Sequence, residues 1–448
     1  MLLVITYFNI KYVNTNMDIE KIKKIIVDQK EEIEEIYRRE KIIKREIDFT
    51  RLQNFLAKPN ILLITGPRRS GKSTLATFIL RDKRAGYLNF DDERLAGFCA
   101  DDFDVALRAF YELYGQDIEH FIFDEIQNIS GWELFANRLR RTKKIIITGS
   151  NANLLSEELA THLTGRYFEF VLYPFSFREF LDFRGIVIEE NDFYSTKKIS
   201  RIKKNLTEYL NCGGFPETFK FGAAIAGRIY EDVIVKDILL RYGVKNKKTF
   251  REMANYVVSN FAGGLNYRKL GHVFSIKDVH TVKNYIDYLS SVFLIFVFEK
   301  FSYKLKQRYI TSKKVYAIDT GMINEVAVNF SDNFGRIMEN AVAIDLRRRK
   351  NYWQEKSKIF YWSDYSGKEV DFAVKNKNKI TQLIQVCHKL DAMGPKEREI
   401  KALVLASDEL KCDNLLIITD DEEGVEKIDG KKVIKIPLWK WLLIDYKK

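Results

Sequence analysis

Residues 66 to 73, Gly66-Pro67-Arg68-Arg69-Ser70-Gly71-Lys72-Ser73, set two glycines, a lysine and a hydroxyl at the spacing of a phosphate-binding loop. Gly66 and Gly71 allow the backbone to approach a phosphate closely. The loop's N–H groups and the N-terminus of the following helix oppose phosphate charge. Lys72 is expected to reach the β- and γ-phosphates and Ser73 to offer its hydroxyl to Mg²⁺, with Pro67, Arg68, Arg69, Ser70 and Thr74 completing the cradle. The apolar run 61–64 precedes the loop and a helical stretch, 72–81, follows it, which is the context the chemistry needs. The expected ligands are ATP and Mg²⁺.

A second run, Phe121-Ile122-Phe123-Asp124-Glu125, ends a buried strand with two carboxylates. Beside such a loop, Asp124 is expected in the Mg²⁺ shell and Glu125 on the attacking water. A third, Ile145-Ile146-Ile147-Thr148-Gly149-Ser150-Asn151, ends in small polar residues. Ser150, or else Asn151 or Thr148, is placed to bond the γ-phosphate or the water; the alternative is an ordinary turn. Arg166 is the candidate arginine finger, from this chain or across subunits, the alternative being a surface arginine.

The elements that must position these groups are short apolar strands alternating with helices, an α/β pattern with a parallel sheet. The chain has 448 residues, enough for about three domains at ~150 residues each. Its formal net charge of +12 favours anionic partners, nucleic acid first, unless the lysine-rich composition is general to its source. Cys99, Cys212, Cys387 and Cys412 form no CxxC pair, so neither a zinc site nor a disulfide framework is indicated. No apolar run is long enough to span a bilayer, so the expected location is cytoplasmic and away from membranes. Met17 is the suspected start, residues 1–16 being otherwise an extra strand. The isoleucines from Ile19 to Ile36 predict one helix over 18–46, docked on the core or on another subunit.

Taken in order, the phosphate loop, Asp124-Glu125-Ile126-Gln127, Thr148-Gly149-Ser150-Asn151, Gly165-Arg166 and Tyr173-Pro174-Phe175-Ser176-Phe177 resemble the archaeal AAA-type ATPase family, related to the STAND signalling ATPases. The resemblance implies five segments: an N-terminal extension and helix (1–46), a P-loop ATPase core (47–175), a helical lid (176–245), a winged helix (246–330) and a restriction-endonuclease-like α/β domain (331–448). It implies that Gly214-Phe215-Pro216 is a lid motif whose Pro216 touches nucleotide, a plain turn being the alternative.

In the winged helix, the third helix would begin near His280 and present His280, Thr281 and Lys283, flanked by Lys277 and Asn284, to a DNA major groove. Lys300, Lys304, Lys306 and Arg308 would line the wing and meet phosphates. The other reading makes this domain part of the lid or a protein contact. In the last segment, Glu339, Glu369, Asp371 and Gln385 fall where a nuclease of that fold keeps its Mg²⁺ ligands. The position for its lysine holds Cys387, and Lys389 lies one repeat further on. A degenerate nuclease fold kept for binding or assembly is therefore expected rather than cleavage.

Three functions follow: an ATP-driven switch or motor on a nucleic-acid or protein partner, including a second copy of the chain; a DNA-binding regulator tuned by ATP; and an ATP-gated, Mg²⁺-dependent nuclease.

Overall fold

The computed structural model describes residues 17–151, 163, 165–304, 306, 311–327, 334–388 and 395–444. The expectations for residues 1–16, Arg308 and Lys389 lie outside the described residues.

The first unit contains α1 (Ile19–Arg39), α2 (Phe49–Ala57), β1 (Ile61–Thr65), α3 (Lys72–Ile79), β2 (Ala85–Asn89), α4 (Asp102–Tyr114), β3 (His120–Asp124), α5 (Trp132–Leu139), β4 (Lys144–Gly149) and β5 (Tyr167–Val171). Its five strands pair in parallel in the order β2-β3-β4-β1-β5. Both sheet faces are buried. Leu62, Ile64, Ile122 and Ile146 join one core, and Leu63, Phe121, Phe123, Ile145 and Ile147 the other. Strand period two divides each apolar run between the faces, so continuous runs are required. Because all five strands share one polarity, the loops after β1, β3 and β4 converge on a single edge. That convergence brings three separated sequence runs into one site.

Helix α1 is capped by Asp18, buries Ile22, Ile25 and Ile26, and packs on α4 and β2 of its own chain. It ends at Arg39, which corrects the expected span of 18–46. Glu40 is extended (φ −110°, ψ 142°), and the segment after it buries Ile43, Arg45 and Ile47 on the way to the phosphate loop.

Next come α6 (Phe177–Phe183), opened by a Ser176–Glu179 capping box, α7 (Thr196–Cys212), α8 (Pro216–Phe221) and α9 (Ile225–Asp232). Helix α9 runs directly into a π-helical stretch, Val233–Leu240. The third stretch is α10 (Lys247–Ser259), β6 (Gly263–Leu265), α11 (Tyr267–Val273), α12 (Val279–Ser291), β7 (Ile295–Lys300), β8 (Lys313–Ala317) and α13 (Thr320–Val326). The last is α14 (Phe334–Tyr352), β9 (Ser357–Ser363), β10 (Glu369–Asn376), β11 (Lys379–Cys387), α15 (Pro395–Leu410), β12 (Leu415–Thr419), β13 (Gly424–Ile428), β14 (Lys431–Pro437) and α16 (Leu438–Trp441).

Strands β6 to β14 form one nine-stranded sheet, in the order β13-β14-β12-β11-β10-β9-β7-β8-β6. The junction is the parallel pairing of β7 with β9, where Glu299 faces Phe360 and Lys300 faces Tyr361. Phe301 N–H extends it by donating to the Tyr361 carbonyl at 2.7 Å. Strand β7 is therefore internal to a sheet. A single core links all units: Ile64, Phe215, Val282, Tyr316 and Phe372 belong to the same buried cluster.

Candidate functional site

The loop after β1 is shaped by its glycines. Gly66 has φ +145°, and a Cβ there would lie 2.2 Å from the Leu172 carbonyl oxygen. Gly71, at φ +90°, is left-handed and caps α3. Lys72 is buried; its Nζ donates to the Pro67 carbonyl at 3.1 Å and lies 3.6 Å from Glu125 Oε1. Ser70 Oγ is buried with no hydrogen-bond partner among the described residues, so the loop holds a polar atom that its own chain leaves unsatisfied.

Asp124 is buried at the end of β3, where it accepts the Tyr87 hydroxyl at 2.6 Å and bonds the hydroxyls of Thr148 and Ser73. Burial, and then the neighbouring Glu125, raise its pKa above the usual carboxylate value. Glu125 adopts a left-handed backbone (φ 51°, ψ 38°), uncommon for a residue with a side chain. That turn faces its carboxylate toward Lys72, while Gln127 Nε2 and Ser150 Oγ donate to Oε2 at 2.5 and 3.2 Å. Burial would raise its pKa, but Lys72, Gln127, Arg68 and Ser150 outweigh it and keep the group below its usual range. Glu125 is thus ionised and able to accept a proton. Asn151 Nδ2 donates to the Tyr242 hydroxyl at 3.0 Å.

A cavity of about 440 Å³ opens over these groups. Its lining mixes Lys72, Ser73, Asp124 and Glu125 with apolar side chains, Ile43, Phe78, Phe183 and Phe221 among them, and with further charged ones such as Lys41, Glu217 and Lys220. Pro216 lies on its wall. A lining of phosphate-loop groups with apolar and aromatic side chains is compatible with a nucleotide, and Ser73 with Asp124 offers hard oxygen ligands for Mg²⁺.

The loop's arginines are already engaged. Arg68 Nε and Nη2 donate to the two oxygens of Asp237, at 3.0 and 3.1 Å, in the π-helical stretch. Arg69 pairs with Glu217 at 2.5 Å and Asp232 at 3.0 Å. Beneath the loop, Arg45 donates to the Ser70 carbonyl (3.1 Å), to Glu179 (2.9 Å) and to the Tyr173 carbonyl (2.6 Å). Removing one partner of so buried a pair costs about 3–5 kcal/mol. None of Arg45, Asp237, Glu217 or Asp232 was singled out by motif; their only sequence signal is charge, Arg45 just after a helix and the others on helical stretches.

The turn before Pro216 is similarly held. Gly214 N–H donates to Asp319 Oδ2 at 2.6 Å, and the Gly214 carbonyl accepts Phe175 N–H at 2.7 Å. A Cβ on Gly213 (φ +79°) would lie 2.1 Å from Asp319 Oδ1.

Arg166 lies apart from the phosphate loop. Its carbonyl accepts Ile61 N–H, so it sits where β1 begins, whereas the phosphate loop follows Thr65 at the far end. Five strand residues separate them, about 16 Å. Its Nη1 donates to Asn137 at 3.3 Å. Within one chain its backbone is therefore remote from the loop.

Of the residues expected to face a DNA groove, His280, Lys283, Asn284 and Lys277 are exposed and Thr281 is half-buried, at or near the start of α12. Lys304 and Lys306 are exposed, while Lys300 is half-buried in the β7–β9 pairing. In the last unit, Glu339 (α14), Glu369 and Asp371 (β10) do come together, and Gln385 (β11) accepts Asp371 N–H at 3.3 Å. At their centre stands Lys314 of β8, which the sequence reading missed.

Residues 58–181 match the family model of the AAA domain. Residues 203–333 and 334–439 match two models described as domains of unknown function, DUF8612 and DUF4143. Over 430 residues the chain is 35% identical to an uncharacterized protein of Methanocaldococcus jannaschii, MJ1544, covering 91% of this chain and 93% of that one. The chain belongs to the MJ1544 family. An uncharacterized protein of Haemophilus influenzae is 29% identical over 417 residues, covering 89% of this chain and 98% of its own length. Among solved structures, the Walker-type ATPase paby2304 of Pyrococcus abyssi matches 64% of this chain and 97% of its own at 16% identity, with a TM-score of 0.41. A STAND protein of Pyrococcus horikoshii with a tetratricopeptide repeat sensor, PH0952, matches 68% and 50% at 14% identity and a TM-score of 0.23. Neither score carries an argument about sites. The AAA match gives this MJ1544-family chain an AAA-type P-loop ATPase domain, which supports ATP binding. Among the described residues no helix is long and apolar enough to cross a membrane.

Proposed function

We propose that the chain is a Mg²⁺-dependent ATPase acting as a nucleotide-driven switch or motor on a nucleic-acid or protein partner. The observation that carries this reading is the grip of Asp237, Glu217 and Asp232 on the two loop arginines, Arg68 and Arg69. Phosphates offer those guanidiniums a competing anion, so nucleotide binding and the position of the helices bearing the carboxylates are coupled. In this reading Lys72 binds phosphate, Ser73 and Asp124 hold Mg²⁺, and Glu125 takes the proton of the attacking water. Ser150 is a positioning residue acting through Glu125, and Pro216 contacts nucleotide from the lid. Residues 47–175 are the ATPase core and 176–245 the lid. The helix–strand–helix–helix–strand–strand order supports a winged helix at 246–330, and helix α14 followed by β9, β10 and β11 supports a restriction-endonuclease-like unit at 331–448.

Hydrogen exchange over 233–240 in Glu125→Gln protein, with and without Mg²⁺–ATP, tests the switch. Altered protection is expected; identical protection under saturating nucleotide would sink it. A second reading, an ATP-tuned DNA-binding regulator, is favoured by the exposed His280, Lys283 and Asn284 at the start of α12. Duplex binding that weakens steeply with salt, together with ATP turnover unchanged by DNA, would prefer it.

A further inference from the structure

A second cavity, of about 260 Å³, shares no lining residue with the nucleotide cavity. Its lining comes from α12 (Asp287, Ser290), β7 (Ile295, Phe296), α14 (Arg347) and Tyr173, which follows β5. Arg347 is half-buried and is the cation of this lining. Its guanidinium lies over the Phe296 ring, 4.9 Å from the centroid, and its Nε donates to the Tyr173 hydroxyl at 3.1 Å. Among the described residues, neither Nη group has a hydrogen-bond or ion-pair partner. Asp287 lines the same cavity, yet no ion pair joins it to Arg347.

The surrounding charges sharpen this asymmetry. Lys283 and Lys313 act on the Asp287 carboxyl, so that charge is answered by cations outside the cavity's lining. Arg347 acts instead on another cation: burial, and then Arg347 and Lys358, lower the pKa of Lys350 on α14. Two further donors lack acceptors. Asn351 Nδ2 also donates to the Tyr173 hydroxyl, at 2.6 Å. With two N–H groups on its oxygen, the buried phenol keeps its own hydrogen to donate, and no described residue accepts it. The Ser290 hydroxyl bonds no described residue either. Stacking on Phe296 holds the guanidinium plane and leaves its fork free, and such a fork meets a carboxylate through two parallel N–H···O bonds.

We propose that this cavity is a binding site for a small organic carboxylate, its oxygens held by Arg347 and the Tyr173 hydroxyl and its apolar body packed against Phe293, Ile295 and Ile318. All three of these apolar side chains are buried and belong to the lining. They distinguish an organic acid from a bare inorganic anion, because few polar groups fix orientation while apolar ones supply the contact. The inference does not depend on the switch reading.

The test is saturation-transfer NMR on the full chain with Mg²⁺–ADP present, using benzoate and hexanoate as probes and benzylamine and inorganic phosphate as controls. Both carboxylates are expected to bind and benzylamine is not. Arg347→Met is expected to weaken benzoate binding by about 10-fold or more, and Tyr173→Phe, which removes only the hydroxyl, by a smaller factor. Binding of neither carboxylate would overturn the proposal. So would benzylamine binding as well as benzoate, or inorganic phosphate binding in place of both carboxylates. Benzoate affinity unaltered by Arg347→Met would do the same, since the probe would then sit elsewhere. Should Arg347→Met not fold, Arg347→Lys decides, because it keeps the charge and stem but loses the planar fork. Weaker benzoate binding by that variant supports the proposal, and equal binding refutes it.

Discussion

Arg68 and Asp237 are joined by two hydrogen bonds, at 3.0 and 3.1 Å, across the cleft between the phosphate loop and the π-helical stretch. Asp237 is buried and Arg68 is about one-quarter exposed, so the pair is partly screened. Charge-assisted bonds of this kind contribute about 1.5–3 kcal/mol before that discount. If phosphate must displace Asp237, then Asp237→Asn strengthens ATP binding, by about 5-fold for each ~1 kcal/mol no longer opposed. Titration with a fluorescent ATP analogue measures it; weaker or unchanged affinity would show that Arg68 stays with the lid.

Lys72 and Glu125 are 3.6 Å apart and share one buried charge balance. Lys72→Ala is expected to abolish ATP binding. Glu125→Gln is expected to keep binding and slow hydrolysis by about 10²–10⁴-fold, the range of a lost general base. Equilibrium binding and steady-state phosphate release separate the two. Normal turnover by Lys72→Ala would refute the site assignment, and unchanged turnover by Glu125→Gln only the water-activating role.

Burial raises two carboxyl groups in the lower half of the molecule: Glu339 from 4.5 to about 7, with Asp371 adding to the effect, and Asp319 from 3.8 to about 6. Lys314 and the Tyr316 hydroxyl pull Glu339 back only in part. A carboxyl whose folded pKa lies above its unfolded value binds more protons folded than unfolded between the two values. Stability from these groups is therefore full below pH ~4 and falls as pH rises toward ~7. Glu339 alone accounts for about 3 kcal/mol. Tm measured from pH 4.5 to 7.5 is expected to fall more steeply in the wild type than in Glu339→Gln. Parallel profiles would mean that Glu339 titrates normally.

The turn before Pro216 makes a steric prediction. Gly213→Ala forces a Cβ to 2.1 Å from Asp319 Oδ1 at φ +79°, and Asp319→Ala strands the Gly214 and Met322 N–H groups that its carboxylate accepts. Each is expected to lower stability by about 2–3 kcal/mol and to loosen nucleotide binding through Pro216. Urea unfolding and the ATP titration check both; a Gly213→Ala protein as stable as wild type would contradict the tight approach.

The nucleotide pocket was legible because its chemistry is local. Gly66, Gly71, Lys72 and Ser73 lie within one turn of chain, and Asp124-Glu125 ends an unmistakable apolar run. The place of Arg166 was not legible, because sequence position says nothing of sheet polarity until Tyr167–Val171 is seen as a parallel strand, which sets a residue just before it at the end of the sheet away from the phosphate loop. Helix α1 was drawn too long because charge and isoleucine continue past Arg39, while the reason for stopping, Arg45 beneath Ser70, is tertiary. Lys314 was missed for the same cause. It belongs to a strand 25 residues before Glu339, and only folding shows that it lies among carboxylates.

The β7–β9 seam has a mechanical consequence. With strands ~4.8 Å apart, nine strands make a plate roughly 38 Å across. The seam joining its two parts is short, two residue pairs extended by the Phe301 N–H bond to Tyr361. A tilt of roughly 10° at the β6 edge would carry the β13 edge about 6–7 Å. Any displacement passed between the two edges must cross this short β7–β9 pairing.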